Sequence, residues 1–451
     1  MANETRQLAA YAAALRYETL PEAVLRRAKD CLIDTVAAIV YGHGQPAGRI
    51  AVEQMRATGE GGGACRIIGA AGAPLRAECA ALANGVLAHA FELDSLTKPG
   101  AGVHPGAVLV PAALAAAQER GKGGRALLTA LVAGCEVMFR IGRATKHTPE
   151  ARGFHAPGLT GPFGAAVAAG HLGGLDEAAM TNALGIAGSL GGGLLAFAKS
   201  GRGGMVKRLH LGRAAESGVL AARLARHGFN GPDSVLEGAF GFLEAYCLDT
   251  DVGALTSALG ERWETLSLCL KRYPCHITAH TPVTAVLALR EAHGFGAGDV
   301  RAVTVEGTPK MAEMHAGQAP EDLVLAQYSI PFCVALALTG DPRDPERFTE
   351  AAVHDPEVRA LSRRIAVRAA PGAHGWTTTT RIELADGRHL EQTVEEFPGT
   401  PAQPMDSAER TDKFMRLTRR LGNAATPLLK RLERIEREDR LDWLGRDTID
   451  R

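Results

Sequence analysis

Residues Leu20–Gly42 read LPEAVLRRAKDCLIDTVAAIVYG. Val24, Ala28, Leu32, Val36 and Val40 recur at every fourth position. Thr19 is placed to cap, Pro21 suits a first turn and Gly42 supplies a stop, so the stretch predicts a helix. Ala-rich stretches of the same kind predict helices over 77–91, 107–120, 124–143, 176–188 and 212–227. Several carry apolar residues on more than one face and so require burial on all sides. Their alanines and glycines let helix axes approach closely. Residues 1–265 therefore read as almost entirely helical, a thick bundle rather than one layer.

Near residue 270 the pattern changes. A helix is predicted over Thr281–His293, then strands over Val300–Gly307 and Ile365–Ala369. Thr377–Leu384 and His389–Glu396 flank Ala385-Asp386-Gly387-Arg388, and Asp-Gly between alternating runs signals a hairpin. After the Pro-rich stretch 398–404, Asp406-Ser407-Ala408-Glu409 has the form of a capping box opening a helix to about Leu421. The fold class is thus mainly α. The reading places a large all-helical domain at 1–268, completed by 400–451, with a smaller α+β lid domain inserted at 269–399.

The chain has 451 residues, with 50 basic against 50 acidic, a balance that argues against a nucleic-acid binder. At 46% hydrophobic it is not a disordered chain either. The longest uncharged stretches, Ala101–Gln118 and Ala178–Ala198, lack the Leu/Ile/Phe density of a membrane span and read as buried helix. No basic region followed by an apolar one opens the chain, which gives a cytoplasmic expectation. The eight cysteines show no C-x-x-C pair, so packed, reduced thiols are expected rather than a zinc or iron–sulfur site.

Chemistry concentrates in four segments. Only ten lysines accompany forty arginines, and Lys98, Lys207 and Lys271 sit near histidines amid Gly, Pro or apolar residues. The segment from His89 through Glu92, Asp94 and Lys98 to His104 brings carboxylates near imidazoles, as acid–base work needs; a solvated helix end is the plainer reading. Gly153-Phe-His155-Ala-Pro-Gly158 opens an Ala-rich helix, either to hold an anion on backbone N–H groups or to allow close helix packing. Arg202, Lys207, Arg208, His210 and Arg213 follow the Gly-rich run 191–193; they suit a carboxylate-rich small molecule, or, for Arg208 and Arg213, a solvated face. The fourth segment runs from Lys271 through Tyr273 and Cys275 to His276 and His280. Its two histidines lack the glutamate of H-E-x-x-H, so no metal site is assigned, and His280 reads as a core histidine or one behind the site.

Together these segments resemble the MmgE/PrpD family over nearly the whole chain. The resemblance rests on Ala28-Lys-Asp-Cys-Leu-Ile-Asp34, Asn84-Gly85 with His89, and His104-Pro105-Gly106. It continues through Gly153-Phe-His155, Lys207-Arg-Leu-His210, Lys271-Arg-Tyr-Pro-Cys and Ala326-Gln-Tyr-Ser-Ile-Pro. It implies a helical domain built from both chain ends, an α+β lid, a homodimer and a site between the domains. The catalytic positions it implies are Asp94, His104, His155, Lys207 and Lys271. Lys98, Arg202, His210, Tyr273 and His280 stand as substrate-binding candidates. The chain departs from the family's D-F-D-D at Glu92-Leu-Asp94-Ser95, from H-x-T-G-T at His155-Ala-Pro157-Gly-Leu159, and from a common Tyr at Phe332.

These residues suit proton abstraction alpha to a carboxylate, or loss of CO2. Both leave an enediolate-like dianion that fixed cations in a closed site stabilise. The expectation is a lyase, dehydratase or decarboxylase, acting on a small di- or tricarboxylate without metal or organic cofactor. Lys207 and Lys271 would meet the dianion, and His104, oriented by Asp94, would move the proton. An epimerase of a substituted succinate uses the same first step, and a non-catalytic helical scaffold is the alternative of a different class.

Overall fold

The computed structural model describes residues 3–99, 102–199 and 203–445. Two compact units emerge: one from Met1–Ala196, Met205–Leu270 and Arg410–Arg451, the other from Phe197–Gly204 and Lys271–Glu409.

The first unit is a stack of helices. Those that carry the site are Glu22–Gly42, Ala77–Ala88, Pro105–Arg120, Gly124–Ala144, Ala156–Leu172 and Val206–Arg226. Helices 77–88, 105–120 and 156–172 are buried along almost their whole length, as their apolar positions on every face require. Small residues set the spacing. A Cβ on Gly85 would lie 2.6 Å from the Cα of Gly212, and one on Gly212 would lie 2.5 Å from the Leu82 carbonyl oxygen. Helices 77–88 and 206–226 therefore cross backbone against backbone, which brings the first turn of the later helix close to the end of the earlier one.

Several sequence expectations need correction. The first long helix begins at Glu22 with Pro21 before it; Thr19 does not cap it but donates its hydroxyl to the Arg16 carbonyl at 2.9 Å. Residues 1–265 are less helical than expected. They include the strand Glu60–Cys65, the irregular stretch 227–241 and a short ribbon in which Leu96 pairs with Cys269 and Thr97 with Leu268. The stretch Ala178–Ala198 is not one helix: Glu177–Gly188 ends there and the Gly-rich run leaves the helical path. The helix expected at 212–227 starts at Val206, so Lys207, Arg208 and His210 are helical residues. Among the described residues, no helix is long and apolar enough to cross a membrane.

Buried polar clamps fix the ribbon and the loop before it. The Arg140 guanidinium donates to the carbonyls of Ser257 at 2.7 Å and Arg262 at 2.9 Å. Glu136 accepts from the N–H groups of Glu264 and Thr265. This holds 257–265 on helix 124–144, so that Leu268–Cys269 can pair with Leu96–Thr97. From the C-terminal segment, Lys413 pairs with buried Asp34 at 2.5 Å and donates to the Leu93 carbonyl at 3.0 Å. Burial pushes the Asp34 carboxyl up, and Lys413 opposes that shift.

The second unit contains a four-stranded sheet in the order Ile365–Ala369, Val300–Gly307, Thr378–Leu384, His389–Val394. The first pair is parallel and the others antiparallel, with Val303 opposite both Ile365 and Ile382. The hairpin turns at Asp386-Gly387, where Gly387 takes a positive φ of 87° and Asp386 accepts the Arg388 N–H at 3.0 Å. Helix His280–His293 packs on this sheet. The capping box at Asp406 and Glu409 is reciprocal, at 2.8 and 3.0 Å, and opens the helix Ser407–Leu417, which ends four residues before the expected Leu421. The described cysteines are all unbridged.

Candidate active site

The loop between helices 77–88 and 105–120 supplies two carboxylates, Glu92 and Asp94, both fully buried. Glu92 accepts from the Lys207 ammonium and, at 2.8 Å, from the Arg208 guanidinium. Those two cations occupy the first turn of helix 206–226, where the helix dipole disfavours positive charge, so Glu92 offsets a double cost. The reading of Arg208 as part of a solvated face is overturned: it is 3% exposed and ion-paired. Arg213 does lie on the open face, paired with Glu216.

Asp94 is met by imidazoles. Its Oδ1 accepts from His89 Nδ1 at 2.9 Å and its Oδ2 from His104 Nδ1 at 2.6 Å. An ionised carboxylate only accepts, so both rings carry a proton on Nδ1 and, when neutral, present Nε2 as a bare acceptor. Burial alone raises the Asp94 carboxyl, but the charge and N–H donation of His89 and His104 reverse this and hold it well below the usual carboxylate range. His104 sits immediately before helix 105–120 and keeps 15% of its side chain exposed, whereas the His89 side chain is fully enclosed. Burial, reinforced by the Lys207 charge and opposed by Asp94, brings His89 down to about 3.

His155 stands immediately before helix 156–172, its Nδ1 3.0 Å from Nδ1 of His210, so one ring donates and the other accepts. Burial first, then the Lys207 charge, holds His155 well below its ordinary value, and the same causes lower His210. Ring centroids run His104–His89 5.3 Å, His89–His155 6.4 Å and His155–His210 5.2 Å, a continuous row of four imidazoles. The Gly-rich run packs beside it, with Gly193 accepting the His155 N–H at 3.1 Å. A Cβ on Gly158 would lie 2.1 Å from the Gly192 carbonyl, so that glycine is required for close packing.

His89, Asp94 and His104 place ligand atoms within 4.8 Å of one another. Their N···O separations of 2.6 and 2.9 Å are hydrogen-bond lengths. Two ligands sharing a tetrahedral ion stand about 3.3 Å apart. The trio is joined by hydrogen bonds through both oxygens of Asp94.

In the second unit Lys271 is 1% exposed. Tyr273 donates its N–H to His280 Nε2 at 3.3 Å and shares a 3.2 Å contact between its hydroxyl and that of Thr284. His280 Nδ1 lies 3.7 Å from the Cys275 thiol. Both rings are thus held in the interior of that unit. His276 stacks on His315 at 4.3 Å and on Tyr328 at 4.7 Å. His315 and Tyr328 border a cavity of about 410 Å³ that Phe197, Lys199 and Ser329 also line.

Of the positions singled out in sequence, Asp94, His104, His155, Lys207 and His210 come together in the first unit. Lys98 follows the ribbon strand, partly buried, its N–H on the Ser267 carbonyl at 2.9 Å. Arg202 lies outside the described residues. Lys271, Tyr273 and His280 belong to the second unit. Sequence reasoning missed His89 as the second partner of Asp94 and Glu92 as the partner of Lys207. The five-residue step from His89 to Asp94 was a usable signal; the Glu92 pairing was not, because it depends on the crossing at Gly85 and Gly212.

Residues 6–254 match the MmgE/PrpD N-terminal domain and residues 273–434 the MmgE/PrpD C-terminal domain. The chain belongs to the MmgE/PrpD family. Among similar proteins is a cis-aconitate decarboxylase of Aspergillus terreus (strain NIH 2624 / FGSC A1156), 29% identical over 442 residues, 92% of this chain and 89% of that one. The cis-aconitate decarboxylase-like protein oryM of Aspergillus oryzae is 32% identical over 71% of this chain and 69% of its own. The cis-aconitate decarboxylase of Homo sapiens is 27% identical over 74% and 71%. The chain is accordingly a lyase of the MmgE/PrpD type. Its departures from the family pattern have local uses. Ser95, where the family commonly has an acid, accepts the Gly106 N–H at 3.0 Å and so caps helix 105–120. Phe332 is buried in helix Ile330–Thr339 against Phe348.

Proposed function

We propose that this MmgE/PrpD lyase decarboxylates a small unsaturated tricarboxylate of the cis-aconitate type without a metal or organic cofactor. The observation that carries the reading is the buried first-unit cluster, in which Asp94 fixes the His104 ring while Lys207 stands in a dry setting nearby in the same row of groups. In the proposed reaction the C–CO2 bond breaks and CO2 leaves. The bonding pair spreads through the double bond onto the neighbouring carboxylate, giving a dienolate. That charge is worth little to a cation in water and much more to an ammonium held where water is excluded. Lys207 is assigned this part. His104 carries the transferred proton on Nε2, delivers it to carbon, and is recharged from solvent through its exposed edge. Asp94 holds the Nδ1–H of His104 and so fixes which edge of the ring faces the substrate. His155, with His210 behind it, is proposed to hold a substrate carboxylate by N–H donation.

The test is product analysis in deuterated water with cis-aconitate as substrate. The reading expects CO2 release and one solvent deuterium on a carbon of the unsaturated dicarboxylate. Exchange of deuterium into recovered substrate without CO2 or water loss would replace it with an isomerase. Turnover undiminished in the double variant His104→Ala/Lys207→Ala would remove the mechanism.

A further inference from the structure

The proposed reaction uses one side of Asp94 and leaves the other unexplained. Asp94 is fully enclosed, a setting that favours the neutral acid. With His104 as its single partner, a proton arriving at the pair could settle on the carboxylate as readily as on the ring, and the ring would then lose the proton it must deliver. A second donor on the other oxygen changes the balance. His89 supplies it, at 2.9 Å on Oδ1, while His104 holds Oδ2 at 2.6 Å.

His89 is poorly suited to anything else. Its ring is enclosed on all sides, so it cannot reach a ligand or solvent. Its Nε2 is buried with no hydrogen-bond partner, a cost that an apolar side chain in the same space would avoid. The groups facing it are His104, His155, Lys207 and Arg208, with Asp34 and Lys413 beyond Asp94. The two nearby cations oppose a second proton on His89, so it stays a neutral donor and does not draw the charge of Asp94 away from His104.

We infer that His89 is a positioning residue, whose Nδ1–H holds the second oxygen of Asp94 and keeps that carboxylate ionised so that a proton taken up by the pair stays on His104. The inference rests on the acid–base role proposed for His104 above.

The experiment compares His89→Leu with His89→Asn in the full chain. The Asn side-chain amide can donate from the place of Nδ1 and carries no titrating ring. H89L is expected to lose about 10–100-fold in kcat with KM changed by less than about twofold, the scale typical of groups that orient an imidazole. Its alkaline limb, where the pair loses the proton that His104 delivers, should move to higher pH, because the pair binds that proton more tightly. H89N should restore most of the rate and the wild-type limb. Carbon-13 NMR of labelled aspartate gives a readout that needs no turnover: the Asp94 midpoint rises in H89L and not in H89N. An Asp94 midpoint unmoved in H89L, a wild-type pH profile in H89L, or equal impairment in both variants overturns the inference. Failure of the decarboxylase reading looks different: cis-aconitate is not turned over by wild type, while the Asp94 midpoint still responds to H89L.

Discussion

Glu92 and Asp94 stand two residues apart in one loop, both enclosed, and they are answered in opposite ways. Glu92 faces two cations, Lys207 and Arg208; Asp94 faces two imidazoles, His89 held neutral and His104 proposed to take up and give back a proton. Glu92 is therefore locked between two ion-pair partners. Asp94 sits in a balance that shifts with each proton. Burial makes both carboxylates costly, and the choice of partner decides whether the result is a rivet or a lever.

Asp94→Asn should break the lever side most visibly. The amide must donate to one ring, forcing a wrong tautomer on it, and kcat should fall by about 10³–10⁴-fold with a smaller loss of stability than in Glu92→Gln. Steady-state kinetics beside thermal unfolding checks both halves. Glu92→Gln should do the reverse. Two buried cations lose their carboxylate, at a cost of about 3–5 kcal/mol of folding stability in urea titration. Equal stability loss in the two variants would erase the distinction drawn here.

Acid unfolding sharpens the comparison at the next scale down. His89 and His155 are held below the ordinary histidine value, chiefly by burial, so the unfolded chain binds more protons as pH falls below about 6.5. Stability should therefore drop on acidification by about 1.4 kcal/mol per pH unit for each such ring. Asp94 runs on a different window. Its depressed folded value keeps its contribution intact above about 3.9, to be lost only as pH falls further toward that value. Buried carboxyls such as Asp34, raised by burial, act with the opposite sign in the same window, so the histidine contribution is read as the difference in melting curves between pH 7 and about 4.5 for wild type and His155→Asn; identical pH slopes would contradict neutral burial of that ring. The smallest effect belongs to Arg213→Ala, which should stay within about 0.5 kcal/mol because its pair with Glu216 is on the open face.

Much of this was legible in the chain. The four-residue recurrence from Val24 to Val40 marks the helix 22–42, and Asp386-Gly387 and the Asp406/Glu409 box mark a turn and a helix start, because each is a local interaction. Asp94, His104, His155 and Lys207 stood out by residue type and setting. What escaped depended on distant partners. The start of helix 206–226 was hidden by the glycines before it, and that hid which face Arg208 occupies. The pairing of Leu96–Thr97 with Leu268–Cys269 joins segments too short to show any period and far apart in the chain. His89 was visible as a residue, but its hold on Asp94 requires a loop whose shape is set in part by Lys413, from the other end of the sequence.

The contact between Gly85 and Gly212 carries one more consequence. Because main chain rests on main chain there, the start of the helix that carries Lys207 has a fixed address, and Glu92 then holds the ammonium in place. Moving that helix start would mean prising two helices apart, so under the proposed function new substrate preferences would arise by redecorating the walls around Lys207.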